Sequence, residues 1–351
     1  MMKAQLVIEI GFDKIRACAC IGRDIHKVPL GSMTSPYAYP PIGVRTQSGY
    51  IFGEVAKLCA VSSPGATVFL YDYLRQNTIP RDALIAFLNT IKERVTELYG
   101  ADIDSIALVT PPYFKDLAQS KFLDSCINTI SNKIEVRNSN ISFGRSFLNV
   151  NVGQRVMFLD FRDNPAYASI ISRNARSYES IGAITIEDFS SINCENFVED
   201  KILSNYDTEL FPDGEIVTAW IQGDIASKIS QDAIQQLLMG RNVRYEIPFT
   251  VDAIMIQQSE FQNWLLPKLD NVCENIIGFV REIGLTLSDL SQIIVLGGIF
   301  ESRLVRDRIE KFLNGYNQGI RYSYFTSPMD EWKICESALI NNFNSVYALE
   351  L

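Results

Sequence analysis

The stretch "RVMFLDFRDNPAYASII", residues 155–171, decides how the fold is interpreted, because two apolar runs flank a short polar segment. Runs of this kind around an Asp-Asn-Pro segment predict two strands joined by a tight turn. Asp160 stands where the first strand enters the turn. The pattern leaves two interpretations open: a phosphate-binding loop whose glycines have been replaced, or a polar hairpin that binds no ligand.

The same layout occurs near the start of the chain, in "QLVIEIGFDKIRACACIG", residues 5–22. Its apolar runs enclose a turn of Gly11, Phe12, Asp13 and Lys14, which predicts a second strand–turn–strand unit. The two units lie roughly 150 residues apart, as expected for an internal repeat. We therefore expect a fold that was built by duplication.

Composition limits the classes of protein to consider. The 351 residues predict two domains of about 100–200 residues each. There are 32 basic and 41 acidic side chains, a net charge of −9, and no Lys or Arg run forms a basic patch, so no nucleic-acid partner is expected. No apolar run approaches the length of a membrane span, so no membrane contact is expected either. The seven cysteines include no C-x-x-C pair, which predicts buried thiols and a cytoplasmic location.

Strand and helix patterns alternate along the rest of the chain. Residues 105–114 predict a buried strand that is stopped by Pro111 and Pro112, and residues 291–313 predict a strand, two glycines and a helix. This order indicates an α/β layer structure. Further helices are predicted over 81–98, 115–130, 184–203, 228–240 and 259–284. In the last of these, Pro267 is expected in the first turns, where proline is tolerated. The helix over 81–98 has a predicted buried face of Leu84, Phe87, Leu88, Ile91, Val95 and Leu98.

Six stretches, taken in order, carry a resemblance to a known family. They are "VIEIGFDKIRACAC", "YIFGEVAKLCAVSSPGATVF", "SIALVTPPYFKDLAQSKFLDSC", "VMFLDFRDNPAYASII", "DLSQIIVLGGIFESRLVRDRI" and "SPMDEWKICESALI". In this order and spacing the chain resembles the nucleotide-binding domain of the seventy-kilodalton heat-shock chaperones, the DnaK-like family of the actin-like ATPase superfamily.

The resemblance implies an α/β actin-like ATPase fold, with ribonuclease-H-like duplicated lobes around a central cleft. Lobe I is expected at 1–150, with a smaller subdomain at about 29–95. Lobe II is expected at 151–351, with a smaller subdomain at about 188–250. The sequence ends at Leu351, just after the predicted closing helix, so no peptide-binding domain is expected.

In the family, residues of the first hairpin surround the nucleotide phosphates. The matching positions here are Glu9, Gly11, Phe12 and Asp13. Gly11 keeps the turn, whereas Phe12 removes a hydroxyl group and Asp13 brings a carboxylate toward the phosphates. Two like charges about 4 Å apart repel by about 4 kcal/mol at an effective dielectric constant near 20. The first hairpin is therefore expected to hold phosphate poorly.

The family's second hairpin has the motif D-L-G-G-G-T-x-D, which matches Asp160 through Tyr167 here. Asp160 is retained, but every glycine is replaced. Pro165 stands in place of the threonine and removes an N–H donor. A further glutamate of the family's metal shell falls near Asn138. The resemblance thus implies Glu9 and Asp160 as the residues that would hold a metal ion, through water. In an active ATPase, Asp13 and Asp163 are an alternative pair that could bind a metal in place of the missing groups.

The resemblance also implies catalytic and adenosine-binding positions. Lys57, in "GEVAKLC", matches the catalytic lysine, and Asp160 is the second catalytic position. The other interpretation of Lys57 is a lysine on the exposed face of a short helix. The implied adenosine positions are Gly297, Gly298, Glu301, Asp232 and Gln235, several of which replace the hydroxyl and cationic groups of the family.

The chain departs from the family's motifs in both hairpins and in the adenosine segment. Because these differences affect the whole site, we expect a pseudo-ATPase with weak or no ATP binding. It is expected to act as a scaffold or regulator through an unidentified protein partner. ATP or ADP with Mg²⁺ is the implied cofactor, if any is bound. Two alternatives stay open: an active ATPase of the chaperone type with an unusual site, and an actin-like filament or cell-division protein.

Overall fold

A computed structural model describes residues 2–12, 14–33, 36–37, 39–60, 62–76, 78–114, 130–131, 133–162, 164–187, 189–204, 229–230, 232–246, 253–327 and 329–339. Within these ranges the protein is a mixed α/β structure with two five-stranded sheets, one three-stranded sheet and one two-stranded sheet.

The described residues divide into two compact units. Unit 1 contains those within Met1–Gln154, Ile171–Ala183 and Trp332–Leu351, and unit 2 contains those within Arg155–Ile170 and Ile184–Glu331. The predicted lobes, 1–150 and 151–351, stay a prediction, as do their smaller subdomains and the cleft.

The strands and helices are numbered in chain order. The strands are β1 (Met2–Ile10), β2 (Ile15–Ile21), β3 (Asp24–Lys27), β4 (Ile42–Thr46), β5 (Gly49–Phe52), β6 (Thr67–Phe69), β7 (Ala101–Thr110), β8 (Lys133–Asn138), β9 (Arg155–Asp160), β10 (Ala166–Arg173), β11 (Tyr178–Ile186), β12 (Val243–Glu246), β13 (Ala253–Ile256), β14 (Leu290–Leu296) and β15 (Arg321–Phe325). The helices are α1 (Glu54–Ala60), α2 (Leu70–Arg75), α3 (Arg81–Tyr99), α4 (Ser139–Phe147), α5 (Ser191–Leu203), α6 (232–238), α7 (Gln258–Glu282), α8 (Arg303–Asn314) and α9 (333–339).

The first five-stranded sheet has the order β3-β2-β1-β7-β8. The hairpin predicted near the start of the chain is present as β1 and β2, which pair antiparallel with Glu9 opposite Arg16. Strand β1 also pairs parallel with β7, and β7 pairs parallel with β8. Every residue of β2 is buried, which explains why all its side chains except that of Arg16 are apolar or small.

Helix α3 covers this sheet with the apolar face that its spacing predicts. Five of the six predicted residues are buried, from Leu84 to Val95, whereas Leu98 is 39% exposed. Leu98 lies in the last turn, and the helix ends at Gly100, whose φ of +63° suits a left-handed cap. The buried face therefore stops one turn earlier than the sequence predicts.

The second five-stranded sheet has the order β11-β10-β9-β14-β15, which repeats the order of the first sheet strand by strand. Its hairpin, β9 and β10, is the one predicted from residues 155–171. Strand β9 pairs parallel with β14, and β14 pairs parallel with β15. The repeated strand–turn–strand unit thus lies at the same place in both sheets.

Two predictions for the second half of the chain need correction. The helix predicted over 184–203 begins only at Ser191, because residues 184–186 are the end of β11, where Ile184 and Ile186 follow the two-residue period of a strand. Pro267 was expected in the first turns of its helix, but it is the tenth residue of α7, well inside it. The helix continues past this residue despite the lost N–H donor.

A bidentate ion pair links helices α7 and α8. The guanidinium of Arg308 donates from Nε to Oδ1 of Asp270 at 2.7 Å and from Nη2 to Oδ2 at 2.5 Å. This geometry matches a planar guanidinium to a planar carboxylate and fixes the rotation of one helix against the other.

Some predictions fall on residues that are not described. They include nearly all of the helix predicted over 115–130, the start of the helix predicted over 228–240, Asp13, Cys126 and the segment after residue 339. Of the remaining cysteines, Cys59 is half-buried and the others are buried. No helix in the described ranges is both long and apolar enough to cross a membrane.

Candidate functional site

The carboxylate of Asp160 is bound by the arginine two residues along the chain. Asp160 ends β9 and is wholly buried, while the side chain of Arg162 is only 5% exposed. The guanidinium donates from Nε to Oδ1 at 3.0 Å and from Nη2 to Oδ2 at 2.8 Å. Such a fork is the strongest common way to neutralise a carboxylate within a protein.

Further donors complete the shell around Asp160. The backbone N–H of Arg162 donates to Oδ1 at 3.0 Å, and the hydroxyl of Tyr167 donates to Oδ2 at 2.9 Å. Arg162 also reaches the carbonyl oxygen of Glu331 through Nη1, at 3.2 Å. Both carboxylate oxygens are therefore occupied by internal donors, and the guanidinium is anchored on its far side.

The other predicted metal-shell residue, Glu9, also lies beside an arginine. Glu9 and Arg16 face each other across β1 and β2, and Oε1 of Glu9 lies 3.9 Å from Nη1 of Arg16. Their side chains are 6% and 4% exposed. Thus each hairpin pairs its buried carboxylate with a guanidinium from the same hairpin.

The turn of the first hairpin is covered by aromatic rings. Gly11 is buried, and the ring of Phe12 packs edge-on against Tyr71 of α2, with centroids 5.3 Å apart. Tyr71 packs against Phe114 at 5.1 Å, and its hydroxyl is hydrogen-bonded to that of Tyr113. Phe12 therefore contributes to the core here, and Asp13 lies outside the described residues.

Gly297 lies against the second hairpin. Its φ is +127°, and a Cβ atom at this position would lie 3.2 Å from the backbone carbon of Phe161. A side chain here would be strained by the backbone conformation and would crowd the backbone of the second hairpin. Gly298 and Glu301 are exposed at the following turn. Gly297, one of the predicted adenosine positions, therefore allows close packing against the second hairpin.

The structure brings the two predicted adenosine segments together within unit 2. The hydroxyl of Ser302 donates to the carbonyl oxygen of Leu238, at the end of α6, at 2.8 Å. Asp232 and Gln235, on the same helix, are both exposed. Their assignment to nucleotide binding stays a prediction, since no contact of these side chains points to a ligand.

Lys57 is exposed on the seven-residue helix α1, and none of the ion pairs between described residues involves it. This position agrees with the interpretation as a surface lysine but does not exclude a catalytic one. Asn138 has a clear local role: its side chain accepts hydrogen bonds from the N–H groups of Asn140 at 2.9 Å and Ile141 at 3.1 Å. It is the N-cap of α4.

Sequence reasoning missed the three residues that define the site: Arg162, Tyr167 as a hydrogen-bond donor, and Arg16. A signal was present for Arg16, because antiparallel pairing of the predicted hairpin places it opposite Glu9. No comparable signal existed for Arg162, since a contact between residues two apart depends on the conformation of the turn. Within the described ranges, no group of three or more His, Cys, Asp or Glu side chains is arranged to hold a metal ion.

Comparison of the chain with protein-family models and with curated proteins gave no match.

Proposed function

We propose that this chain has the actin-like ATPase fold and is a degenerate relative of the DnaK-like nucleotide-binding domain. In this proposal it binds ATP weakly or not at all and acts as a scaffold or regulator through contacts with another protein. Two features support the fold: both five-stranded sheets have the same strand order, and each begins with a hairpin whose first strand is central. Repeated order of this kind is what a duplicated domain is expected to have.

The observation that carries the functional proposal is the fork between Arg162 and Asp160. A carboxylate that organises Mg²⁺ needs a free oxygen for the ion or for its bound water. Here both oxygens of Asp160 accept hydrogen bonds from internal donors, and one of these donors already supplies the positive charge.

Displacing that guanidinium is unfavourable. A net contribution of about 1.5–3 kcal/mol is typical for each hydrogen bond to a charged group, and the guanidinium of Arg162 donates to both carboxylate oxygens of Asp160. A metal ion that took the place of the guanidinium at Asp160 would need to offset this loss. The residues present therefore fit a nucleotide-bound Mg²⁺ poorly, and no hydrolytic step is assigned to them.

Isothermal titration calorimetry tests the proposal. The purified chain is titrated with ADP and with ATP, each with and without Mg²⁺, after circular dichroism has verified that it is folded. We expect no heat of binding at millimolar nucleotide, or weak heat that Mg²⁺ does not change. Micromolar binding that depends on Mg²⁺ would overturn the proposal and favour the active ATPase.

A further inference from the structure

Unit 1 contains an open groove that takes no part in the candidate site. The groove has a volume of 590 Å³, and the described residues that line it are Ile25, His26, Lys27, Tyr37, Tyr99 and Glu336. Its volume falls within the range of about 300–1,000 Å³ that is usual for ligand sites. Three of the six lining side chains carry rings, so the groove offers flat apolar surfaces.

The walls of the groove are fixed by contacts behind them. The ring of Tyr37 packs edge-on against Trp332, with centroids 5.3 Å apart, and the ring of His26 lies 5.0 Å from that of Tyr99. The ammonium group of Lys27 lies 5.2 Å from the ring centre of Trp332. Rings held in this way lose little freedom when a ligand docks, which favours binding.

Three polar groups of the groove can donate hydrogen bonds. They are the hydroxyl of Tyr37, the imidazole of His26 and the ammonium of Lys27, while Glu336 supplies the one carboxylate among the described lining residues. Lys27 and Glu336 are 4.0 Å apart, and both are partly exposed, so their pairing is weak. A ligand with carbonyl acceptors and a positive charge for Glu336 therefore fits these groups.

The backbone edge of β3 is a less suitable docking element for an added strand. Strand β3 lies at the edge of its sheet, but the hydroxyl of Tyr99 already donates to the carbonyl oxygen of Lys27 at 3.2 Å. Burial and the neighbouring Tyr37 hydroxyl raise the pKa of Tyr99, so this hydroxyl keeps its proton. The ring surfaces, rather than the strand edge, are left to bind a partner.

We propose that this groove binds a proline-rich segment of a partner protein in the polyproline II conformation, with a Lys or Arg beside the prolines that pairs with Glu336. Such segments dock on aromatic grooves with little loss of entropy because their extended helix is already formed. Proline has no N–H, so its backbone offers acceptors to the donors of the groove. This inference specifies the kind of partner that the proposed scaffold would bind, and it therefore rests on the proposed function.

Fluorescence anisotropy of labelled peptides on the full chain tests the inference. The probes are decaproline, decaproline with one added arginine, and a Gly/Ser peptide that matches the arginine-decaproline peptide in length and charge. We expect the arginine-decaproline peptide to bind, and the Gly/Ser peptide to bind at least about tenfold more weakly, because it must pay the ordering entropy that a polyproline helix does not.

Substitutions distinguish the groove from the rest of the surface. Tyr37→Ala is expected to weaken binding about tenfold, a typical loss for an aromatic anchor. Tyr316→Ala, at a tyrosine of unit 2 that is 52% exposed, is the matched control and is expected to change nothing. Glu336→Gln is expected to weaken only the peptide with arginine, by about threefold, as for a partly exposed ion pair.

The inference fails if neither proline peptide changes the anisotropy at about 1 mM protein, the range of the weakest useful affinities. It also fails if Tyr37→Ala, folded by circular dichroism, binds like the unsubstituted chain. Micromolar, Mg²⁺-dependent nucleotide binding in the calorimetric experiment would overturn the proposed pseudo-ATPase and would not affect the inference of peptide binding. Absence of peptide binding would overturn the inference about the groove but would not affect the proposal of a pseudo-ATPase.

Discussion

Replacing Arg162 by methionine tests whether the stability of unit 2 depends on the fork to Asp160. Methionine keeps an unbranched apolar side chain of similar length but has no guanidinium. Among the described residues, Asp160, with its side chain fully buried, then keeps the backbone N–H of residue 162 and the hydroxyl of Tyr167 as donors. Its negative charge is left without a partner of opposite sign.

The expected loss follows from the removal of the guanidinium that donates to both oxygens of Asp160. Breaking a buried ion pair by deleting one partner costs about 3–5 kcal/mol. The two remaining donors to Asp160 place the expected value near the lower end, at about 3 kcal/mol. With a urea dependence of about 2–3 kcal/mol per molar, the unfolding midpoint should fall by about 1–1.5 M.

Urea unfolding monitored by circular dichroism measures the effect in a double-mutant cycle. The variants are Arg162→Met, Asp160→Asn and both together. Because the two side chains contact each other, the double variant should lose less than the sum of the single variants, by about 1–3 kcal/mol. Arg303→Met is the control: the side chain of Arg303 is 88% exposed and its ion-pair partner among the described residues is Asp307, so a loss below about 0.5 kcal/mol is expected.

Two results would refute this reasoning. One is a loss below about 1 kcal/mol for Arg162→Met, which would show that the carboxylate does not depend on the guanidinium. The other is strict additivity in the cycle. In either case Arg162 would not be the group that neutralises Asp160, and the main support for the proposed pseudo-ATPase would be lost.

Three further predictions concern other parts of the chain. Lys57→Ala should leave any measured ATP turnover unchanged in a phosphate-release assay; a large drop would favour the active ATPase. Asn138→Ala should lower the free energy of unfolding by about 1 kcal/mol in urea, through loss of the α4 N-cap, and no loss would contradict that role. Burial raises the pKa of Cys273 to about 12, so at pH 8 about one thiol in 10⁴ is ionised. Peptide mass spectrometry should therefore find slower alkylation at Cys273 than at half-buried Cys59, whereas equal rates would contradict the burial.

The sequence allowed the regular elements to be predicted where the apolar period was long and uninterrupted. Helix α3 and the hairpin strands β9 and β10 are examples, because burial of one face or of both faces leaves a clear pattern. Strand β11 was missed, since most of its residues are only partly buried or exposed and its polar positions carry little period. The end of this strand was consequently assigned to the helix that follows.

The site was less predictable than the fold, for a physical reason. The sequence predicts that Asp160 lies at the mouth of a turn, but the direction of the Arg162 side chain depends on the turn conformation. The family resemblance assigns a role to Asp160 from the residues next to it in the sequence. The chemistry of its carboxylate depends instead on the side chains that contact it in the folded protein. Asn138 illustrates the same limit, because its N-cap geometry is visible only once α4 begins at Ser139.

The two buried carboxylates explain why an acidic residue can be retained without catalysis. Glu9 and Asp160 both lie on central strands, where an unpaired charge would be strongly unfavourable. Under the proposed descent, loss of a bound metal leaves two solutions: replace the carboxylate, or supply a cation from the protein. This chain has a guanidinium beside each carboxylate, from Arg16 across the first hairpin and from Arg162 within the second. Once such a pair exists, removing either member is destabilising, so the carboxylate is kept by the fold itself. The presence of Asp160 therefore does not support ATP hydrolysis. What distinguishes a pseudo-ATPase from an active ATPase is whether a protein guanidinium or a metal ion neutralises this carboxylate.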